Sequence, residues 1–294
     1  MRRATSPSAG RVFATLAFAV LTTTGAKAQD VPGPSPSSSP SPAPSNAPAA
    51  TDPCGDDNLL ATTDRPTFGT NPCVVKDGNS NVEFGYKNTT TSGSPGGTRS
   101  VSYPEARERS GILPNLELVL DLPSQVEFGS PAGRIGTDSN FGAGLKYELG
   151  YSQNFVHGIA GEVVFPSGTA GGFPSFNGSY QIGGSILPGL GANLTLGFNT
   201  FSSPNPAGGK NVTTTSFQPT FIVGGLVAPE TKLSVEAALS TSSGPGTSGR
   251  YFGNVFLQHQ FTKNLLIDIE AAQRFTVVDR AHQHYIGAGG AIKL

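Results

Sequence analysis

The chain ends in HYIGAGGAIKL, residues 284–294, and this stretch indicates the fold. Because successive side chains of a β-strand point to opposite faces, one face of this stretch would carry only apolar residues and glycine. Those residues are Ile286, Ala288, Gly290, Ile292 and Leu294. A strand at the edge of a sheet leaves backbone groups unpaired, and closure into a barrel removes such edges altogether. On its own, the stretch fits either a soluble β-strand or the last strand of a barrel.

The same alternation recurs in twelve segments between Asn81 and the C-terminus. They are Asn81–Thr90, Arg99–Arg109, Asn115–Pro123, Ser139–Tyr151, Gly158–Phe165, Ser179–Leu187, Gly191–Thr200, Ser216–Val227, Lys232–Ser240, Arg250–Phe261, Leu265–Thr276 and Ala281–Leu294. Many are about 9–11 residues long, which is what a tilted strand needs to cross a bilayer. Pro104 disturbs the alternation of the second segment and predicts a β-bulge there.

The connections between these segments sort by length. Five tight connections are Ser110–Pro114, Ser152–His157, Pro188–Gly189, Pro229–Thr231 and Thr262–Asn264. They alternate with six mostly longer ones, Thr91–Thr98, Ser124–Asp138, Pro166–Asn177, Phe201–Thr215, Thr241–Gly249 and Val277–Arg280. A membrane barrel with both termini in the periplasm has short turns at one end and longer loops at the other. The sequence therefore predicts an all-β fold, an antiparallel up-and-down transmembrane β-barrel of about twelve strands over residues 81–294.

The N-terminus has the pattern of a secretory signal peptide. The apolar run Val12–Leu21 follows the positively charged residues Arg2, Arg3 and Arg11. Residues 26–28 form an A-x-A cleavage site. We expect residues 1–28 to be removed and residues 29–53, rich in Pro and Ser, to form a disordered, extended linker. An exported chain with this barrel pattern is expected in the bacterial outer membrane, in contact with its lipid.

The two cysteines, Cys54 and Cys73, are expected to form a disulfide because the chain is exported and has no others. The bond would close a loop of about twenty residues and contribute roughly 3 kcal/mol to stability. Residues 54–80 would then form a disulfide-closed segment, either in the periplasm or inside the barrel as a plug. In a plug, Asp64 and Arg65 would pair with charges of the lumen. In a periplasmic extension, the same residues and Pro66 would form a turn.

The polar faces of the strands predict which residues line the lumen, because lipid cannot solvate charge. The predicted residues are Glu83, Lys87, Glu117, Asp121, Lys146, Glu148, Glu162, Glu236, Asp268, Glu270 and Arg274, and Arg107 and Arg109 are further candidates. Acidic residues outnumber basic ones in this set, which favours cations or neutral solutes over anions. The alternative is that these charges pair with one another and fill a narrow barrel.

Composition and motifs exclude several function classes. A net charge of −1 and a pI of about 6.4 give no reason to expect a nucleic-acid partner. The chain has no Gly-x-Ser-x-Gly, His-Glu-x-x-His or phosphate-binding loop, so we expect neither an enzyme nor a cofactor. His282 and His284 share a strand face, but no third metal ligand lies near them in the sequence, and we predict no metal site.

The Thr63-Asp64-Arg65-Pro66 motif and the stretch from Tyr103 to Gly111 resemble the outer-membrane transporter family of the MetA-pathway of phenol degradation. The Gly-x-x-Ile-x-Leu ending is similar to the C-terminal signal that the barrel-assembly machinery recognises. The resemblance implies a Gram-negative outer-membrane barrel that passes small aromatic or hydrophobic molecules. We therefore predict a channel or transporter for passive or selective diffusion of small molecules. The alternatives are a structural or surface-interaction barrel without transport and, remotely, an outer-membrane enzyme.

Overall fold

The computed structural model describes residues 52–54, 58–65, 67–92, 98–130, 133–138, 140–152, 154–166, 173–203, 212–243, 249–276 and 282–294. The predicted signal peptide and residues 29–51 of the predicted linker lie outside the described residues. One helical turn, α1 (Leu59–Thr62), precedes the strands. The strands are β1 (Ser80–Ser92), β2 (Thr98–Tyr103), β3 (Ala106–Leu113), β4 (Leu116–Leu122), β5 (Gln125–Ser130), β6 (Gly133–Asp138), β7 (Phe141–Tyr151), β8 (Phe155–Phe165), β9 (Ser175–Leu187), β10 (Leu190–Ser203), β11 (Val212–Ala228), β12 (Thr231–Ser243), β13 (Arg250–Thr262), β14 (Leu265–Thr276) and β15 (His282–Lys293).

The strands form one closed antiparallel barrel. From β7 to β15 each strand pairs with the next, and β15 returns to pair with β1 along its full length, from Asn81 with Lys293 to Ser92 with His282. The first part of β1, residues 80–83, pairs with β3, and a later part, residues 87–91, pairs with β2. β2 and β3 are therefore two halves of one strand of the wall. In the same way β4 and β5 form one strand, and β6 and β7 another. The barrel therefore has twelve strands, which confirms the predicted fold class.

Three neighbouring strands of the wall are interrupted at the same level, at residues 104–105, at residues 123–124 and between Asp138 and Phe141. Ser102 pairs with Lys87 and Arg107 pairs with Glu83, so an even-numbered and an odd-numbered residue of one wall strand share the inner face. The alternation thus shifts at Pro104, as the sequence predicts. The prediction of a long loop over Ser124–Asp138 is wrong, because β5 and β6 occupy most of it. Each interruption reverses the side-chain alternation, which hides the continuation of the strand from a test of strict periodicity.

The two faces of the barrel differ in chemistry. Many large apolar side chains on the outer face are exposed, among them Ile159, Phe221, Val235, Ile267 and Ile269. The inner face carries the buried polar and charged side chains, such as Glu83, Arg109 and Gln181, which are fully buried. The apolar side of each strand therefore faces outward, opposite to the arrangement of a soluble protein.

The described residues between 52 and 79, which we call the luminal segment, contact the inner face of the barrel. Their hydrogen bonds and ion pairs go to inner-face residues of strands from all around the wall, including β1, β7, β10, β12 and β14. Asn58 begins α1 by accepting a hydrogen bond from the Leu60 backbone N–H at 2.9 Å. Leu59 and Leu60 pack against Leu266 and Ala291, near the short turns. No helix in the described part of the chain is long and apolar enough to cross a membrane.

The predicted disulfide between Cys54 and Cys73 is confirmed, with the two Cα atoms 5.3 Å apart. The bond closes the part of the luminal segment between Cys54 and Cys73 into a loop. Both cysteines are buried, together with Val156 of β8. After Cys73 the chain leads through Asp77, which bridges to Gly111, into β1.

Candidate functional site: the barrel lumen

Arg109 of β3 is the centre of a buried group of charges. Its guanidinium donates to both carboxylate oxygens of Glu117, at 2.9 Å each, and to Glu83 Oε1 at 3.1 Å. It also donates to the backbone carbonyl of Cys73 at 3.2 Å, and its Nη1 lies 3.5 Å from Asp64 Oδ2. A buried charge is tolerated only when it is paired and hydrogen-bonded. The position of the luminal segment is therefore part of what keeps Arg109 paired.

Asp64 is bound from both sides. The backbone and side-chain nitrogens of Asn71 donate to Asp64 Oδ1 at 2.9 and 2.7 Å, which closes the segment on itself. Lys146 Nζ of β7 lies 3.4 Å from Asp64 Oδ2. Burial acts to raise the pKa of Asp64, but the positive charges of Arg109 and Lys146 outweigh it and lower the pKa below its usual value of 3.8. Asp64 is thus held as a carboxylate that links the segment to two strands of the wall.

The Arg65 side chain occupies a gap in the inner face of β1 and β15. Gly85 of β1 and Gly289 of β15 are register partners, and the guanidinium of Arg65 lies against both. A Cβ atom on Gly85 would overlap the Arg65 guanidinium, so any larger residue there would displace the arginine. Arg65 Nη1 lies 3.2 Å from Glu105 Oε2, and Nη2 lies 3.6 Å from Asp268 Oδ1. The glycine pair therefore provides the space that lets Arg65 reach two carboxylates.

The innermost bend of the segment binds a glutamate of β12. The backbone N–H groups of Phe68 and Gly69 donate to Glu236 Oε1 at 2.8 and 2.9 Å. Asn254 Nδ2 bridges Glu236 Oε2 at 3.2 Å and Glu270 Oε2 at 3.4 Å. Two successive N–H groups on one carboxylate oxygen fix the bend in position.

The Phe68 ring packs against two aromatic rings of the wall. Its centroid lies 4.8 Å from that of Phe252 and 5.8 Å from that of Tyr285, in tilted and edge-on arrangements. Lys87 Nζ lies 5.1 Å above the Tyr285 ring, and the Arg274 guanidinium lies 4.8 Å above the Phe252 ring. The bend is therefore held by apolar packing as well as by Glu236.

The returning part of the segment contacts β10 and β4. The Thr70 carbonyl accepts hydrogen bonds from Asn193 Nδ2 at 2.9 Å and from Thr195 Oγ1 at 2.8 Å. Further on, the Val75 N–H donates to Glu117 Oε2 at 2.6 Å. Glu117 thus joins Arg109 to the returning arm of the segment.

Three residues at the start of the segment and on β7 have the spacing of a metal site, but they already have other partners. Ligand atoms of Asp52, Cys54 and Glu148 lie within 4.8 Å of one another. Cys54 is in the disulfide, Asp52 Oδ2 accepts from Lys76 Nζ at 2.6 Å, and Glu148 Oε2 lies 3.9 Å from the same nitrogen. We assign no metal to this cluster.

The lumen residues predicted from the sequence fall into two groups. Those that contact the luminal segment are Glu83, Glu117, Lys146, Glu148, Glu236 and Asp268. Among the described residues, the segment forms no hydrogen bond or ion pair with Lys87, Asp121, Glu162, Glu270 or Arg274. Lys87 lies 3.4 Å from Glu105, Asp121 binds Arg107, Glu270 binds Asn254, and Arg274 donates to Gln283 at 3.0 Å.

Sequence reasoning missed three uncharged residues that bind the segment, Asn193, Thr195 and Gln258. The signal was present for Asn193 and Thr195, because Asn193, Thr195, Gly197 and Asn199 alternate with Leu194, Leu196 and Phe198. A search for charge alone passes over such residues. His282 and His284 flank Gln283, whose side chain binds inner-face Thr91, so both histidines lie on the outer face.

Three cavities remain around the luminal segment. The loop-side cavity, of about 340 Å³, lies towards the longer connections and is lined by residues that include Thr70, Glu162, Asn177, Asn199, Gln218 and Thr220. The turn-side cavity, of about 510 Å³, is lined by Pro53, Pro72, Val156, Gly191, Ile222 and Lys232, among others. The wall-break cavity, of about 540 Å³, adjoins the three interruptions and is lined by Lys87, Ser102, Glu105, Asp121, Ser124 and Asn140, among others.

The fold and this lumen define the class as a closed antiparallel barrel of the outer-membrane type, and solved structures share the fold. An outer-membrane channel of the COG4313 type from Pseudomonas putida F1 matches with a TM-score of 0.56 at 12% identity, over 79% of this chain and 100% of that one. The translocator domain of the autotransporter NalP from Neisseria meningitidis matches with a TM-score of 0.50 at 13% identity, over 80% of this chain and 92% of that one. No protein-family model and no curated protein matches the sequence. The resemblance to the MetA-pathway transporter family stays a prediction.

Proposed function

We propose that this protein is a bacterial outer-membrane channel for passive or selective diffusion of small molecules, and that its luminal segment is a plug. The observation that carries the proposal is the inverted chemistry of a closed barrel. Its outer face is apolar, and its inner face presents charged and hydrogen-bonding groups around cavities on both sides of the segment. Passage through such a lumen involves no covalent step, so the proposal assigns no enzymatic activity.

Aromatic side chains on the outer face support a membrane location. Towards the longer connections, exposed rings occur on six strands, at Phe165, Phe176, Phe198, Phe217, Tyr251 and Phe275. Towards the short turns lie Tyr147, Tyr151, Phe155 and Phe261. Outer-membrane barrels carry such aromatic girdles at the two interfaces of the bilayer. The proposal includes export through a signal peptide over residues 1–28 and assembly through β15.

The luminal segment would control which solutes pass. It carries Asp64, Arg65 and Lys76 into a wall that contributes both signs of charge, and most of these groups are paired. The predicted cation preference of an acidic lumen is therefore reduced where Arg65 and Arg109 neutralise the glutamates and Asp268. We propose that Glu162 and Lys87, which line the loop-side and wall-break cavities, act as the electrostatic filter. The resemblance to the MetA-pathway family adds small aromatic or hydrophobic molecules as the solute class to be tested.

A second candidate function follows from the same contacts. The residues that bind the segment include Arg109, Glu83 and Glu117, which are fully buried. Buried ion pairs and hydrogen bonds of this number could hold the segment in the lumen permanently. The barrel would then be a structural or surface-interaction protein that transports nothing.

Single-channel conductance of the refolded protein in a planar bilayer separates the two. The channel predicts discrete current steps that grow with salt concentration. Protein that is folded, as judged by heat-modifiable gel migration, and gives no steps at any voltage would contradict transport and favour the structural barrel.

A further inference from the structure

One quarter of the barrel wall, three of its twelve strands, carries no charge. β9, β10 and β11 contain no Asp, Glu, Lys, Arg or His in any of their positions. Every ion pair between the luminal segment and a wall strand reaches other strands of the described chain, namely β3, β7 and β14. The segment is thus fixed by charge to one side of the barrel and faces an uncharged wall on the other.

The loop-side and turn-side cavities meet on this uncharged wall. On β10, the loop-side cavity is lined by Asn199, Gly197 and Thr195, and the turn-side cavity by Asn193 and Gly191. These are successive inward positions of one strand. On β11 the same division falls between Thr220 and Ile222, which pair with Thr195 and Asn193. The two cavities therefore form one trough along β9–β11, divided at a single level.

The luminal segment divides the trough with Thr70–Pro72. Thr70 lines the loop-side cavity, whereas Asn71 and Pro72 line the turn-side cavity. Among the described residues, the hydrogen bonds from this part of the segment to β9–β11 all converge on the Thr70 carbonyl, from Asn193 and Thr195. The ion pairs of Asp64 and Arg65 go to other strands, and the disulfide lies within the segment itself. A small displacement of Thr70 would join the cavities without undocking the segment.

The side of the trough that β9–β11 form presents uncharged hydrogen-bonding groups, whereas Asp64, Arg107, Lys146 and Glu162 line other sides of the loop-side cavity. The loop-side part of the β9–β11 side carries the amides of Asn177, Asn199 and Gln218 and the hydroxyls of Ser179 and Thr220. Thr220 is 2% exposed, and its hydroxyl has no hydrogen-bond partner among the described residues. A buried hydroxyl costs free energy unless a partner satisfies it. A solute that carries hydroxyl groups would supply that partner.

We propose that the solute route runs along the inner face of β9–β11, that the Thr70 contact with Asn193 and Thr195 is its constriction, and that it takes uncharged small molecules bearing hydroxyl groups. This inference rests on the proposed channel function and names its route and solute class.

Swelling of liposomes that contain the refolded protein, in isosmotic arabinose, tests the constriction. The double variant Asn193→Ala/Thr195→Val removes both donors to the Thr70 carbonyl, and two hydrogen bonds correspond to an increase of about tenfold in the swelling rate. Thr214→Val is the matched control, since Thr214 is also buried on the inner face of β11 but lies away from the segment. A swelling rate of the double variant equal to that of the control would overturn the constriction.

A pair of matched serine substitutions tests the route. Ser179→Phe places a ring in the trough, and Ser102→Phe places the same ring in the wall-break cavity. The proposal expects the first to lower arabinose entry severalfold and the second to leave it near the wild-type rate. The reverse pattern would overturn the route while leaving the channel function intact. Entry of arabinonate as fast as that of arabinose would overturn the uncharged solute class. No swelling from any variant, with each shown to be folded, would overturn both the channel function and the route.

Discussion

Arg109 of the wall and Asp64 of the luminal segment lie 3.5 Å apart, and both side chains are buried. Arg109 also binds Glu83 and Glu117, so one guanidinium serves three carboxylates. The N-terminal segment and the barrel are therefore parts of one buried electrostatic group, and neither satisfies its charges without the other.

Arg109→Met tests how much this group contributes. The substitution keeps an unbranched apolar stem but leaves Glu83 and Glu117 buried without their counter-charge, which costs about 3–5 kcal/mol. We expect a lower midpoint of guanidinium unfolding for the refolded protein. Arg99→Met is the control, because Arg99 is exposed on the outer face and, within the described part of the chain, hydrogen-bonds Asn88 alone. Its effect should stay within about 0.5 kcal/mol. Equal midpoints for the two variants would contradict the role of Arg109.

Gly85→Val tests the space that holds Arg65. A side chain at this position would overlap the guanidinium, so Arg65 should leave Glu105 and Asp268. The released segment should then be cut by trypsin after Lys76. Gly253→Val is the control, since a Cβ atom there meets nothing within 4 Å. The same resistance of both variants to trypsin would show that the glycine pair is not needed for docking.

Loss of the disulfide should loosen the segment but not the barrel. In the variant Cys54→Ser/Cys73→Ser, the docked segment loses roughly 3 kcal/mol, or about a hundredfold in its opening equilibrium. Hydrogen exchange followed by mass spectrometry should show faster exchange over residues 58–79. Exchange over β12–β14 should not change. Unchanged exchange over residues 58–79 would mean that the charged contacts alone hold the segment.

Acid should weaken docking through Asp64. Arg109 and Lys146 hold the folded-state pKa of Asp64 below its usual value of 3.8. A lowered folded-state pKa stabilises the docked form above pH 3.8, and this contribution is lost as the pH falls through the lower value. Unfolding midpoints measured from neutral pH to about pH 2 should fall more steeply for the wild type than for Asp64→Asn. Parallel curves would contradict this role of Asp64.

An arginine on the outer face should destabilise the folded barrel more when it lies near the middle of the membrane than when it lies near the interface. Ile269, in the middle of β14, is 54% exposed, and Val227, at the turn end of β11, is 59% exposed. Arginine near the middle of a membrane costs about 2–4 kcal/mol, but only about 0–1 kcal/mol near the interface. Ile269→Arg should therefore fold poorly in lipid vesicles and Val227→Arg normally. Equal folding yields would argue against a membrane-embedded outer face.

The barrel was predictable from sequence because one face of each strand meets lipid, which makes the alternation regular. β14 follows its predicted bounds, Leu265–Thr276, and β9 to β13 extend beyond theirs by a few residues at most ends. β5 and β6 were not predictable in this way, since the interruptions near residues 104, 123 and 139 shift the alternation.

The position of the luminal segment was beyond the reach of sequence patterns. Asp64 and Arg65 fit a periplasmic turn as well as a plug, because the partners of Arg65, Glu105 and Asp268, are distant in sequence. Only closure of the barrel brings these groups together. The glycines at positions 85 and 289 gave no separate signal, since glycine in a strand has several explanations.

Single-channel conductance of the variant Asp64→Ala/Arg65→Ala, compared with the wild type, tests the central claim most directly. Both substitutions remove ties between the luminal segment and the wall and leave the strands unchanged. The account predicts larger current steps for the variant, because the segment no longer occupies the lumen. Steps of wild-type size from variant protein shown to be folded would contradict the claim that this segment constricts the channel.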